Sequence, residues 1–189
     1  MTSHASTAVG LCILLGVLEL FVSTTKRSTA AAHRADRGSL EVLSLVTLGS
    51  ILLAFYEAIA MPSAGFAVGK PLYGAALALY AAGLALRWYA IIHLGRFFTV
   101  DVAIAEGHRV IETGPYRFVR HPSYAGALLA FTGLGLLTGN AISLALFLVP
   151  TTAAYLYRMR VEEAALRQGI GASYVEYSAR TARLVPGIF

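Results

Sequence analysis

Two short segments of this chain hold the side chains able to do chemistry. His108, Tyr116, His121 and Tyr124 fall within 17 residues, in a stretch reading GHRVIETGPYRFVRHPSYAG. Pro122 disfavours helical backbone at His121, because its ring crowds the preceding residue, and proline suits a first helical turn. A helix is therefore predicted to begin at Pro122-Ser123, with His121 just outside it and Tyr124 about one turn in. That arrangement aims an imidazole, free backbone N–H groups and a phenol at one point, where an anion or carboxylate can bind. Further along, Arg158 and Glu162 are four residues apart and share a face if the segment is helical. As a surface pair they contribute only ~0.3–0.5 kcal/mol. As a site, the glutamate holds an ammonium group and the arginine fork a carboxylate; spacing alone does not choose.

The elements that must position these groups follow from composition. Of 189 residues, 57% are hydrophobic and only 13% charged, with 18 glycines besides. The mean hydropathy is +0.67. Soluble domains carry about 25% charged residues, so a soluble globular fold is excluded and the chain reads as an all-α integral membrane protein. The single cysteine, Cys12, excludes an intramolecular disulfide framework and a multi-cysteine zinc site, and is read as a small buried hydrophobe. No metal is expected. Five apolar stretches stand out, at about 8–22, 40–61, 72–94, 123–138 and 141–157, the last two separated by Gly139-Asn140 and read as a tight hairpin. Crossing ~30 Å of hydrocarbon takes about 20 helical residues, which the second and third supply. The first carries its positive charges after the apolar run, unlike a signal peptide, and is read as an uncleaved span.

The basic residues set the orientation. Thirteen of the 15 Lys and Arg residues lie in the gap after span one, the gap after span three or the tail after span five; only Lys70 and Arg87 do not. A five-span chain with its N-terminus outside and its C-terminus in the cytoplasm puts all 13 on the cytoplasmic side. Charges spaced between apolar runs do not form a nucleic-acid stripe, so no nucleic-acid partner is expected. The informative segments, 95–122 and 158–189, are then both cytoplasmic. Within the first, Val100–Ile104 and Arg109–Ile111 read as short extended pieces. The ordinary alternative for this segment, with Arg96 and Arg117, is a basic juxtamembrane strip touching anionic lipid. Glu19, Glu57, Arg87 and His93 lie within spans, but the two glutamates sit near span ends and Arg87, beside Trp88 and Tyr89, is expected to snorkel to the interface.

Gly114-Pro115-Tyr116, Arg120-His121-Pro122-Ser123-Tyr124 and the tail pattern Glu162-Glu163, Gly171, Tyr174, Tyr177 together resemble the isoprenylcysteine carboxyl methyltransferase family, in its short prokaryotic five-span form. The resemblance covers about the last hundred residues. It implies one membrane methyltransferase domain over 1–189, acting as an S-adenosylmethionine-dependent carboxyl O-methyltransferase on a lipophilic substrate such as a prenylated cysteine. It further implies a cytoplasmic cofactor pocket closed by loop and tail, with lipid entry sideways from the bilayer. Carried over residue by residue, it assigns His108, Arg109, Val110, Ile111, Tyr116, His121, Pro122, Ser123, Tyr124 and Glu162 to the cofactor, and Arg158 to the substrate carboxylate. Asp101 stands where some members have a neutral amide and is not carried over. Ile170 replaces an aromatic before the tail glycine. Methyl transfer to an ionised carboxylate needs no general base, only an in-line approach and exclusion of water.

Three other readings compete. A phospholipid amine N-methyltransferase shares the H-P-x-Y and E-E layout, but an amine calls for a carboxylate or aromatic cage near the methyl. A membrane reductase using a nicotinamide cofactor would have a similar helical layout, although no G-x-G-x-x-G unit is present. A non-enzymatic membrane protein leaves the His-Tyr-Glu constellation without a purpose. A lipophilic carboxylate is the expected partner, together with the bilayer; the inner membrane is the expected location if the chain is prokaryotic.

Overall fold

The computed structural model describes residues 3–26, 36, 38–102 and 109–187. Among these residues the chain is helical: α1 (Ser3–Thr25), α2 (Ser39–Ala60), α3 (Lys70–Leu94), α4 (Pro122–Thr138), α5 (Ala141–Ile170) and α6 (Ala172–Arg180). Four of them, α1, α2, α3 and α5, are long and apolar enough to cross a membrane. The chain is thus a multi-pass integral membrane protein. Helix α4, with 17 residues, rises only about 25 Å. Side chains such as Ile13, Leu20, Leu45, Leu52 and Ile59 are exposed on α1 and α2, as lipid-facing positions are.

Local sequence places the breaks. Pro71 stands in the first turn of α3, where its missing N–H costs nothing. Gly139 ends α4 at φ +65°, a left-handed conformation that side chains resist, and its N–H returns to Leu136 O. Asn140 then caps α5 by accepting from Ser143 N, while its amide donates to Met61 O at 3.0 Å. Pro150 lies inside α5, which nonetheless runs unbroken for 30 residues, about 45 Å. This differs from the expected end near Tyr157: the helix continues past the apolar run and carries Arg158, Glu162 and Glu163 with it.

Helix α3 packs most closely on α4, and α2 on α5; α1 lies against α4. The α3–α4 seam is built on glycine. A Cβ at Gly126 would lie 2.6 Å from Arg87 N, and one at Gly83 would lie 2.5 Å from Ala130 N. Small residues let two backbones meet in a membrane, where lipid supplies no hydrophobic drive to bring helices together. The core behind this seam is Tyr80, Ala130, Phe131, Leu134 and Phe147, with Phe55 edge-on to Phe147.

The extended pieces expected at Val100–Ile104 and Arg109–Ile111 do not form strands among the described residues. The backbone of Val100 and Val102 is satisfied piecemeal instead: Val100 N donates to Lys26 O, Val100 O accepts from Arg158 and Val102 N donates to Asp36. The β-like pairing present is isolated, Val119 with Ala182 and Gly65 with Asn140.

Candidate active site

One end of the helix bundle surrounds a cavity of about 610 Å³, within the range of ligand sites. One flank is polar, made by Tyr116, His121, Tyr124, Arg158, Glu162 and Tyr174. The other is apolar, made by Leu15, Leu43, Ile51, Ala127 and Phe131, from α1, α2 and α4. The polar flank exists because α5 outlasts its apolar stretch and the loop and tail fold over its end.

A chain of hydrogen bonds runs along the polar flank. The Tyr124 hydroxyl donates to Glu162 Oε2 at 2.8 Å and accepts from Arg158 Nε at 3.2 Å. Arg158 and Glu162, four residues apart on one helix face, are thus joined through a phenol from α4. Arg158 is buried, and its Nη1 donates to Asp36 Oδ1 at 2.6 Å and Ser39 Oγ at 2.8 Å, while Nη2 donates to Val100 O. Four of its five donors are used, which leaves one Nη2 N–H without a partner among the described residues. Asp36 is itself fully buried and also accepts from Leu40 N at 2.9 Å. Burial pushes its carboxyl up, but the Leu40 N–H and the Arg158 guanidinium outweigh that and hold it below the ordinary aspartate value.

Glu163, beside Glu162, faces away from the cavity and fastens the tail. Its carboxylate, 2% exposed, accepts from Arg120 Nε at 3.0 Å, Arg183 Nε at 3.1 Å and Nη2 at 3.0 Å. His121 Nε2 lies 3.2 Å from Glu163 Oε1, a contact that places the ring proton on Nε2, and its Nδ1 faces Glu162 at 3.7 Å. Arg120 Nη1 reaches Ser178 O and Thr181 O, and the backbones pair through Arg120 N to Ala182 O at 2.8 Å. The His121 ring stacks on Tyr124, 5.4 Å between centroids and 5° apart in plane. The tail thus closes the site by gripping the Arg-His-Pro-Ser-Tyr strip. Tyr177 donates to Tyr116 O at 2.7 Å, and burial pushes its phenol up to about 12, so it stays a donor at any working pH.

The sequence-predicted residues are distributed unevenly over this site. Arg109, Val110, Ile111, Tyr116, His121, Ser123, Tyr124, Glu162 and Arg158 all line the cavity. Pro122 is fully buried beneath it and shapes the start of α4. His108 lies outside the described residues. Asp101 and Ile170, the two departures from the family pattern, also line the cavity. Arg87 corrects the expectation most clearly. It does not snorkel: it is buried and donates Nε and Nη2 to the two Glu19 oxygens, each at 2.5 Å, and Nη1 to Ser123 Oγ at 2.9 Å. The close α3–α4 seam leaves it no route to the interface, and Glu19 on α1 supplies the counter-charge. His93 bonds Thr113 Oγ1 at 2.8 Å and stacks by Tyr116, so it supports the Gly114 turn from below. Sequence reasoning missed Asp36, because nothing in its local pattern points to Arg158, 122 residues further on.

The donor set fits a zwitterionic, partly polar cofactor. Glu162 presents a carboxylate to the cavity, 31% exposed. The Tyr174 hydroxyl is buried against the cavity with no hydrogen-bond partner among the described residues. Burial, then the charge of Glu163, raises the Tyr174 phenol well above its ordinary value, so it remains a proton donor. A buried orphan donor of this kind calls for a ligand acceptor.

Comparison with known proteins agrees with this geometry. Residues 76–168 match the family described as isoprenylcysteine carboxyl methyltransferase (ICMT). Protein-S-isoprenylcysteine O-methyltransferase B of Arabidopsis thaliana is 38% identical over 106 residues, 55% of this chain and 54% of that protein. The protein-S-isoprenylcysteine O-methyltransferase of Schizosaccharomyces pombe is 28% identical over 181 residues, 95% of this chain and 67% of that protein. The solved structure of a eukaryotic intramembrane Ras methyltransferase, ICMT, shares the fold with a TM-score of 0.59 and 23% identity, covering 77% of this chain and 52% of that one. The chain spans about half the length of the Arabidopsis relative.

Proposed function

We propose that the chain, whose residues 76–168 match the isoprenylcysteine carboxyl methyltransferase family and build most of the polar flank, methylates the carboxylate of a prenylated cysteine or similar lipophilic acid, with S-adenosylmethionine as donor. The observation that carries this reading is the continuous Glu162–Tyr124–Arg158 wall, facing a cavity whose opposite flank is apolar. Glu162 and Tyr174 would hold the cofactor's ammonium and carboxylate ends, with Val110, Ile111, Tyr116 and His121 around its remainder. When bound, S-adenosylmethionine supplies an electrophilic methyl on a sulfonium. Arg158 turns its remaining Nη2 N–H to the substrate carboxylate and orients it, while Tyr124 fixes Arg158 and Glu162 relative to one another. The apolar flank between α1 and α2 takes the lipid, entering sideways. Tail and loop exclude water, which protects a carboxylate nucleophile from solvation.

The whole chain acts as one unit in this reading. It crosses the membrane five times, with α4 and α5 as a hairpin, the N-terminus outside and the C-terminus in the cytoplasm; in a prokaryote the membrane is the inner one. Arg158 offers only N–H donors at the substrate end, which suits a carboxylate acceptor; an amine nucleophile would need an acceptor there. The test is transfer of a labelled methyl group from S-adenosylmethionine to S-farnesyl-N-acetylcysteine by the detergent-purified chain. A base-labile ester is the expected product. Label on phosphatidylethanolamine and none on the acid would overturn the assignment.

A further inference from the structure

We propose that Asp36 is a charge-balancing positioning residue: it neutralises Arg158 so that the guanidinium orients the substrate carboxylate without quenching it. The inference rests on the carboxylate reading above and adds a residue outside the matched region 76–168.

Four observations support it. Asp36 is fully buried, and its Oδ1 accepts from Arg158 Nη1 at 2.6 Å, from Ser39 Oγ at 3.0 Å and from Val102 N at 3.3 Å. Its Oδ2 accepts from Leu40 N, so both oxygens are fixed by three different segments of chain. Arg158 has its Nη1 committed to Asp36 and Ser39 and its Nε to Tyr124, so the edge left for a ligand is a single Nη2 N–H and not the bidentate fork. Glu162, the other carboxylate near Arg158, is separated from it by the Tyr124 hydroxyl and faces the cofactor end.

The chemistry explains why such a brake is useful. In the transfer a carboxylate oxygen forms a bond to the methyl carbon while the methyl–sulfur bond breaks and its electron pair stays on sulfur. No proton moves, and the carboxylate's negative charge disappears into a neutral ester. A bare guanidinium therefore binds the ionised reactant more strongly than the transition state, which lowers KM and slows turnover together. An arginine already paired with a buried aspartate keeps its hydrogen-bond direction but presents almost no net charge. Asp36 leaves Arg158 able to aim the nucleophile and unable to hold it back.

The experiment compares Asp36→Asn and Asp36→Glu with the unaltered chain. S-farnesyl-N-acetylcysteine and its methyl ester serve as probes, by equilibrium binding without cofactor and by steady-state turnover with it. Asparagine keeps an acceptor oxygen but removes the charge. The expected result is roughly tenfold tighter binding of the acid, unchanged binding of the ester, and kcat lower by roughly tenfold. Glutamate restores the charge and is expected to return acid affinity toward the unaltered value. Equal loss of acid and ester binding in both variants would make Asp36 a structural strut and overturn the proposal. Tighter acid binding with unchanged kcat would also overturn it, leaving Asp36 a mere competitor for Arg158. If the unaltered chain does not methylate the acid at all, the carboxylate reading itself fails, an outcome distinct from either.

Discussion

At the scale of single residues, two neighbouring glutamates on α5 have opposite tasks because a helix turns about 100° per residue. Glu162 faces the cavity and accepts from Tyr124, while Glu163 is buried among Arg120, His121 and Arg183. Glu162→Ala is expected to weaken S-adenosylmethionine binding by roughly tenfold to a hundredfold, the value of one charge-assisted hydrogen bond, as measured by calorimetry. Arg158→Lys keeps a charge but cannot serve Tyr124, Asp36, Ser39 and Val100 together. Its kcat should fall by about a hundredfold or more while cofactor affinity holds, the signature of lost orientation. Turnover at the unaltered rate in that variant would remove Arg158 from the site. That Arg158 and Glu162 share a face was legible as spacing; the phenol that joins them was not, since Tyr124 lies 34 residues from Arg158.

Among the elements, the tail is held by one buried carboxylate and a short backbone pairing. Val119 and Ala182 pair, Arg120 N and His121 N donate to Ala182 O and Arg183 O, and Glu163 collects the arginines from both sides. Glu163→Ala leaves Arg120 and Arg183 without their shared anion, a loss of about 3–5 kcal/mol if the arrangement is breached as buried pairs are. The expected outcome is faster proteolysis within 172–187 and loss of cofactor binding, both read on the same preparation. A tail that stays resistant would show the backbone pairing to be sufficient. The start of α4 was readable from Pro122, and the α4–α5 turn from Gly139-Asn140. The reach of α5 to Ile170 was not, because from Arg158 on charged residues interrupt the apolar run and are held by ion pairs with distant segments.

For the whole molecule, the distribution of basic residues predicts the orientation. In a Cys12→Ser background, a cysteine at Ser63, in the turn after α2, is expected to react with a membrane-impermeant maleimide on intact cells. One at Ser178 is expected to react only after permeabilisation. The reverse pattern would invert the topology and place the cavity outside. Along the helix axes the molecule is polarised as well: apolar contacts fill the α3–α4 and α2–α5 seams, and most of the long-range ion pairs lie toward the end that holds the cavity.

The sequence by itself determined that this is a helical membrane protein, where its principal spans lie, and which short strips supply the side chains that line the cavity. Those properties come from local hydropathy, prolines and charges, all of which act over a few residues. Tertiary structure decided which charges meet. Arg87 found Glu19 across 68 positions instead of reaching for water, and Arg158 found Asp36 across 122. In a low-dielectric bundle a buried charge must be paired wherever the fold brings a partner, and no periodicity in the chain announces that partner. The residues of the candidate site were legible in its motifs; which of their charges balance one another was decided by packing.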